Sequence, residues 1–224
     1  MNLEKKLITS IIPATVEQFK EEISRCSTKL IEHRIDGFIH PFIAEINYND
    51  YNFDFLVTNR PKHGSEITEE SEKERIEILK RAITHGVKFV DIEIETAENF
   101  RGELLQFAKE RNVTTIISYH NYEKTPSIEE LTEIVKKMKS TGADIIKCVC
   151  MAQSYADAHV MIDLQHKWGS NILSFGMGSH GSFSRVISLL YGAPFMYVPL
   201  DKKTAPGQLY IKELKELLKL LDQN

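Results

Sequence analysis

The sequence predicts an α/β chain folded as a (β/α)8 TIM barrel, a parallel, closed eight-stranded sheet forming one domain over residues 1–224. Three observations carry this. Short β-branched, apolar runs alternate with longer amphipathic stretches from end to end. Eight such units follow one another at spacings of 23 to 35 residues, with no linker or low-complexity break. Polar residues gather toward the ends of the apolar runs. A doubly wound open sheet is the competitor, but it normally carries a Gly-rich phosphate turn after its first strand, where this chain reads IIPATVEQ.

Strands are expected to begin near Leu7 (LITSII), Leu30 (LIEHRI), Asp54 (DFLVTNR), Phe89 (FVDIEI), Thr114 (TTIISYH), Ile145 (IIKCVC), Asn171 (NILSF) and Phe195 (FMYVPL). Helices are expected over 16–24, 69–85, 100–111, 127–141, 155–168, 183–191 and 211–221, and a less regular one over 39–48. Ser127 with Glu130 spells a capping box, and Gly86, Gly142, Gly169 and Gly192 sit just past helix ends.

With 42% apolar and 27% charged residues, the 224-residue chain can bury a sizeable core. Its formal net charge of −4, without a basic tract, points to no nucleic acid and no anionic membrane surface. No apolar run reaches the ~18 residues of a membrane helix. A cytoplasmic location is the expectation. Cys26, Cys148 and Cys150 form no metal-ligand spacing, so no metal is expected, and the last two, on one strand face, read as small buried residues.

Lys147 is the unusual residue. The other 19 lysines lie in helical stretches, element ends or loops, whereas Lys147 sits inside the apolar run IIKCVC. Burial disfavours an ammonium, and a neutral amine is a nucleophile for ketones, so the position suits a Schiff base as well as a structural ion pair. Side chains alternate along a strand, so Glu32 and Arg34, Thr58 and Arg60, Asp91 and Glu93, and Ser118 and His120 each share a face. In a barrel they would converge at the C-terminal mouth, where active sites form. His120 suits a general acid or base. Arg34 and Arg60 offer planar forks, Glu32 can hold one or accept hydroxyls, and Asp91 and Glu93 fit an ionic network. The loop GMGSHGSFSR, ending at Arg185, suits an anion at a helix start, and TAPGQ supplies Thr204 and Gln208 on a shaped turn.

Together these segments resemble the type I 3-dehydroquinate dehydratases. The matching pieces are IEHRIDGF around Glu32 and Arg34, TNR at Arg60, ISYHNYEKTPS at His120, GADIIKCVCMAQS at Lys147, SRVIS at Arg185 and TAPGQL from Thr204. They run through nearly the whole chain, and the histidine segment precedes the lysine segment by 27 residues. The resemblance implies a hydro-lyase of the shikimate pathway that converts 3-dehydroquinate to 3-dehydroshikimate without a cofactor. It implies Lys147 as the imine-forming amine and His120 as the proton carrier. Arg185 would clamp the substrate carboxylate, while Glu32, Arg34, Arg60, Thr204 and Gln208 would hold hydroxyls and orient the ring. Relatives are often dimers, so a homodimer is implied too. Two departures stand out. The family usually places a glutamate after the TxR arginine to orient the histidine, and here RPKHGSE brings His63 to that slot, implying a lower apparent pKa for His120. Thr204 replaces the usual serine. The loops around His63 and Thr204 are candidate lids.

Two other functions compete on the same residues. An imine-forming aldolase would share Lys147 and use the Gly176–Ser179 loop for phosphate, and a barrel without turnover would bind a ligand or protein.

Overall fold

The computed structural model describes residues 3–38, 46–61, 68–203 and 205–221. Eight strands alternate with helices: β1 Leu7–Ile11, α1 Val16–Arg25, β2 Leu30–Arg34, β3 Asp54–Thr58, α2 Glu69–Thr84, β4 Phe89–Glu93, α3 Glu98–Lys109 and β5 Thr114–Asn121. They continue with α4 Ile128–Lys139, β6 Ile145–Met151, α5 Tyr155–Trp168, β7 Ile172–Met177, α6 Ser182–Leu190, β8 Met196–Pro199 and α7 Ile211–Leu221. The strand starts and seven of the helices fall where the sequence predicts them. Of the expected helix over 39–48, residues 39–45 lie outside the described residues, and Tyr48–Asp50 forms a single 3-10 turn. His63 and Thr204, with the lids suggested around them, also lie outside the described residues.

Local chemistry sets the helix starts. The Ser127 hydroxyl accepts the Glu130 N–H while the Glu130 carboxylate accepts that of Ser127, and Ser154 with Asp157 and Thr68 with Ser71 close equivalent boxes. Apolar faces then dock outside the sheet. The main layer between sheet and helices includes Phe19, Phe55, Leu79, Leu104, Val135, Met161, Cys148 and Cys150. Both strand cysteines are fully buried and free, as small core residues are.

The alternate residues fill the lumen in layers drawn from every second strand, as in TIM barrels generally. Lowest are Leu30, Phe89, Ile145 and Phe195, with the Phe89 and Phe195 rings edge to face at 6.0 Å. Above them lie Ile8, Leu56, Ile116 and Leu173. The third layer changes character: Glu32, Asp91, Lys147 and Tyr197 occupy the equivalent inward positions of β2, β4, β6 and β8. An apolar plug thus supports a polar floor.

One expectation is corrected. Parallel ladders join the strands in the order β7-β6-β5-β4-β3-β2-β1-β8, and among the described residues none joins β7 to β8. The sheet is a curled, open one rather than the closed sheet the sequence predicts. Its seam is satisfied by helix side chains instead of a strand. Gln165 Oε1 accepts the Ser174 N–H at 2.9 Å, Ser188 donates to the Ser174 carbonyl, and Ser184 Oγ accepts the Gly176 N–H at 2.8 Å. These buried polar residues of α5 and α6 take the backbone groups that an eighth ladder would have used.

Candidate active site

Lys147 is 6% exposed, and its ammonium lies 3.2 Å from Asp91 Oδ2 and 4.4 Å from the centroid of the Tyr197 ring. Burial drives its pKa down and the Asp91 and Glu32 carboxylates oppose this, with a net lowering. Of the two sequence alternatives the ion pair is present, and it leaves the amine buried with a lowered pKa. Asp91, fully buried, is pushed up by desolvation, but Arg60 and Lys147 outweigh that and hold it well below the usual carboxylate range.

Asp91 is one link in a chain of alternating charges that starts on α2. Arg75 is bidentate on Glu72 at 2.8 and 2.9 Å and reaches Glu93 at 2.9 Å. Glu93 contacts Arg60 at 2.5 Å, Arg60 contacts Asp91 at 2.8 Å, and Asp91 meets Lys147. Arg60 also donates to the Ser118 hydroxyl at 2.7 Å, so its fork is largely engaged inside the protein. Asp91 and Glu93 are network members, as the sequence suggests, but the direct Asp91–Lys147 contact is additional. The ladders set Lys147 level with Ser118 and Glu93, and only the tilt of the strands, which the sequence does not show, brings the Asp91 position two residues earlier into the same lumen layer.

Glu32 accepts hydrogen bonds from Ser10 and from Thr58, the latter at 3.0 Å. Arg34 turns to Asp36, with bonds of 2.8 and 2.7 Å. The two are not paired with each other, contrary to one of the options their spacing left open. His120 is half-buried at the rim, its ring stacked on Tyr122 at 5.8 Å and 10°. Burial and the cations Arg60 and Lys147 lower its pKa well below the ordinary value, so the imidazole is neutral near pH 7.

Arg185, on α6, is 2% exposed and stands over the Phe175 ring at 4.1 Å. It donates to the Pro206 carbonyl at 2.9 Å, its Nε has no hydrogen-bond partner, and among the described residues no carboxylate faces it. Desolvation pulls its pKa down to about 9. Buried Gln208 accepts the Ala205 N–H at 3.2 Å. The glycine loop is tighter than an open anion cradle. Gly178 N–H is given to Pro206, Gly181 N–H to Gly178, and Ser184 N–H to Gly181. Gly207 has φ +80°, and a Cβ there would lie 2.3 Å from the Gly178 carbonyl oxygen, so the loop after β8 is laid directly on the loop after β7.

One cavity is lined by Glu32, Arg34, Arg60, His120, Lys147, Arg185 and Gln208. Seven of the nine site residues expected from sequence thus meet at one mouth, and His63 and Thr204 are outside the described residues. Tyr122 and Tyr197 also line it and were not anticipated. Tyr197 sits in an apolar strand segment and signals itself only through its position two residues beyond Phe195. Among the described residues no group of three or more His, Cys, Asp or Glu side chains could hold a metal ion, and no helix is long and apolar enough to cross a membrane.

The chain is 36% identical over 199 residues to a 3-dehydroquinate dehydratase of Methanococcus maripaludis, covering 86% of this chain and 88% of the relative. It is 33% identical over 217 residues to one of Pyrococcus abyssi, covering 97% and 99%. A solved type I 3-dehydroquinate dehydratase of Clostridium difficile, bearing covalently modified comenic acid, has the same fold, with a TM-score of 0.86 at 24% identity over 97% of this chain and 92% of that one. Residues 7–224 match the family model described as type I 3-dehydroquinase, and the chain belongs to that family.

Proposed function

We propose that the protein dehydrates 3-dehydroquinate to 3-dehydroshikimate through an imine on Lys147, as one catalytic domain over residues 1–224 that acts in the cytoplasm. Membership of its family makes the chain a hydro-lyase. The observation that carries the imine is a buried amine of lowered pKa opening into the same cavity as a neutral imidazole and an arginine with no carboxylate partner among the described residues.

Lys147 adds to the substrate ketone, and loss of water leaves an iminium that acidifies the neighbouring C–H. Asp91 stays ionised and holds the nitrogen in place. Neutral His120 accepts that proton, and as an imidazolium beside Asp91 returns it to the departing hydroxyl. Hydrolysis of the imine then releases the enone. Arg185 pairs with the substrate carboxylate, gaining a counter-ion that no described residue supplies. Glu32, Arg34 and Gln208 lie where ring hydroxyls would be held, with Thr204 in the same role from the turn. Arg60, engaged by Asp91 and Glu93, orients the floor and faces substrate with its remaining edge. The aldolase alternative shares the amine but expects a phosphate cradle, and the N–H groups of Gly178, Gly181 and Ser184 are already bonded.

Incubation with 3-dehydroquinate tests this. The expected outcome is growth of the conjugated-enone absorbance, a borohydride-stable adduct on Lys147, and loss of both in Lys147→Met. Turnover that persists in Lys147→Met would exclude the imine route.

A further inference from the structure

We propose that Tyr197 is a further substrate-contacting residue, its hydroxyl donating a hydrogen bond to the ketone oxygen as Lys147 adds to the carbonyl carbon. This rests on the imine route above. Tyr197 fills the β8 position of the polar lumen layer, is 4% exposed, and presents its ring to the Lys147 nitrogen at 4.4 Å. Its hydroxyl is buried without a hydrogen-bond partner among the described residues. Such a group loses its hydration and gains nothing in return.

Folding alone does not explain the hydroxyl. Phenylalanine would keep the edge-to-face contact with Phe195 at 6.2 Å and the ring beneath Lys147, and would remove the orphan. The neighbouring acceptors are engaged, Glu32 by Ser10 and Thr58, and Asp91 by Arg60, Ser118 and Lys147. Burial, with the Glu32 and Asp91 carboxylates nearby, raises the phenol pKa well above its ordinary value against the opposing cations Arg60 and Arg34, so it keeps its proton and acts as a donor. The group missing from this arrangement is a ligand oxygen beside Lys147, and the substrate ketone supplies one.

During addition the lysine lone pair forms the C–N bond and the carbonyl π pair moves onto oxygen, where the Tyr197 O–H meets the developing charge. The ammonium formed at nitrogen passes a proton to that oxygen. One further proton from solvent lets the C–O bond break with release of water, as the nitrogen lone pair completes the iminium. Tyr197 keeps its own proton throughout.

The test compares the full-length wild type with Tyr197→Phe by timed borohydride quenching in 3-dehydroquinate, following the Lys147 adduct by mass. Adduct formation is expected to slow tenfold or more, since removal of one such donor costs on the order of 10²–10³ in rate at most comparable sites. The same variant should unfold at a midpoint equal to or above that of the wild type. Adduct formation at the wild-type rate would overturn the proposal, as would a lowered midpoint, which would mean the hydroxyl serves the resting fold. If the wild type itself gives no adduct, the imine route fails and this proposal falls with it.

Discussion

Arg185 and Lys147 are both buried cations, yet their surroundings assign them opposite deficits. Lys147 has a carboxylate at 3.2 Å, whereas Arg185 has one carbonyl, one aromatic face and a bare Nε. A buried charge with no counter-ion among the described residues is costly, so on the proposed reading Arg185 weakens the unliganded protein and is repaid by the substrate carboxylate. Arg185→Met is therefore expected to act in two directions. The KM for 3-dehydroquinate should rise by about two orders of magnitude, in line with the ~2–5 kcal/mol cost of breaking a buried charge pair. The thermal unfolding midpoint of the unliganded protein should rise as well. Steady-state kinetics and a thermal melt measure the two, and a midpoint that falls would mean that Arg185 has a stabilising partner. Residues of this kind are legible when their type is out of place, as Lys147 is in IIKCVC and His120 is at a strand end. Tyr197 is not, because a tyrosine in an apolar strand is ordinary and only its unpartnered hydroxyl marks it.

Helices reach Lys147 through the ionic chain from α2 to β6. Arg75 anchors it from 7% exposure, holding Glu72 and Glu93 and donating to the Asn59 carbonyl at 2.8 Å and Thr96 at 2.7 Å. Replacement by methionine leaves buried Glu72 without its cation and Glu93 with Arg60 alone, which is expected to cost about 3–5 kcal/mol. A urea titration would show this as a lower midpoint, and Glu72→Gln added to Arg75→Met should recover part of the loss because one orphaned charge disappears. No recovery would mean that Glu72 is solvated when unpaired. The elements in this chain were readable because local rules place them: the Ser127 and Glu130 box opens α4, and Gly142, at φ +77°, lies between α4 and β6. The open seam was not readable. Gln165, Ser184 and Ser188 look like ordinary polar helix residues, and only their tertiary position shows that they take the backbone groups of β7.

At the scale of the whole molecule, the inner face of the sheet and its outer face both hold histidines in the neutral form. His33, on β2, is fully buried among Phe19, Phe38 and Tyr48, hydrogen-bonded to the Tyr48 hydroxyl at 2.9 Å, and desolvation pulls its pKa down to about 3. His120 is lowered in the same direction on the inner face. In the unfolded chain a histidine titrates near ~6.5. Above that pH neither state binds the proton and these residues leave stability unchanged. Between ~6.5 and about 3 the unfolded chain takes up a proton that folded His33 refuses, so stability falls as the solution is acidified. Each such group contributes a slope of about 1.4 kcal/mol per pH unit. Asp91, held below the carboxylate range, has the same sign but adds only once the pH drops below ~4. The acid loss should therefore begin near pH 6, well before carboxylates titrate. His33→Phe, which fits the surrounding aromatic cluster, should remove about one proton's worth of that slope between pH 6 and 4 whatever it does to stability at pH 7. Urea midpoints measured at half-unit steps would show it, and an unchanged slope would mean that His33 is protonated in the folded barrel.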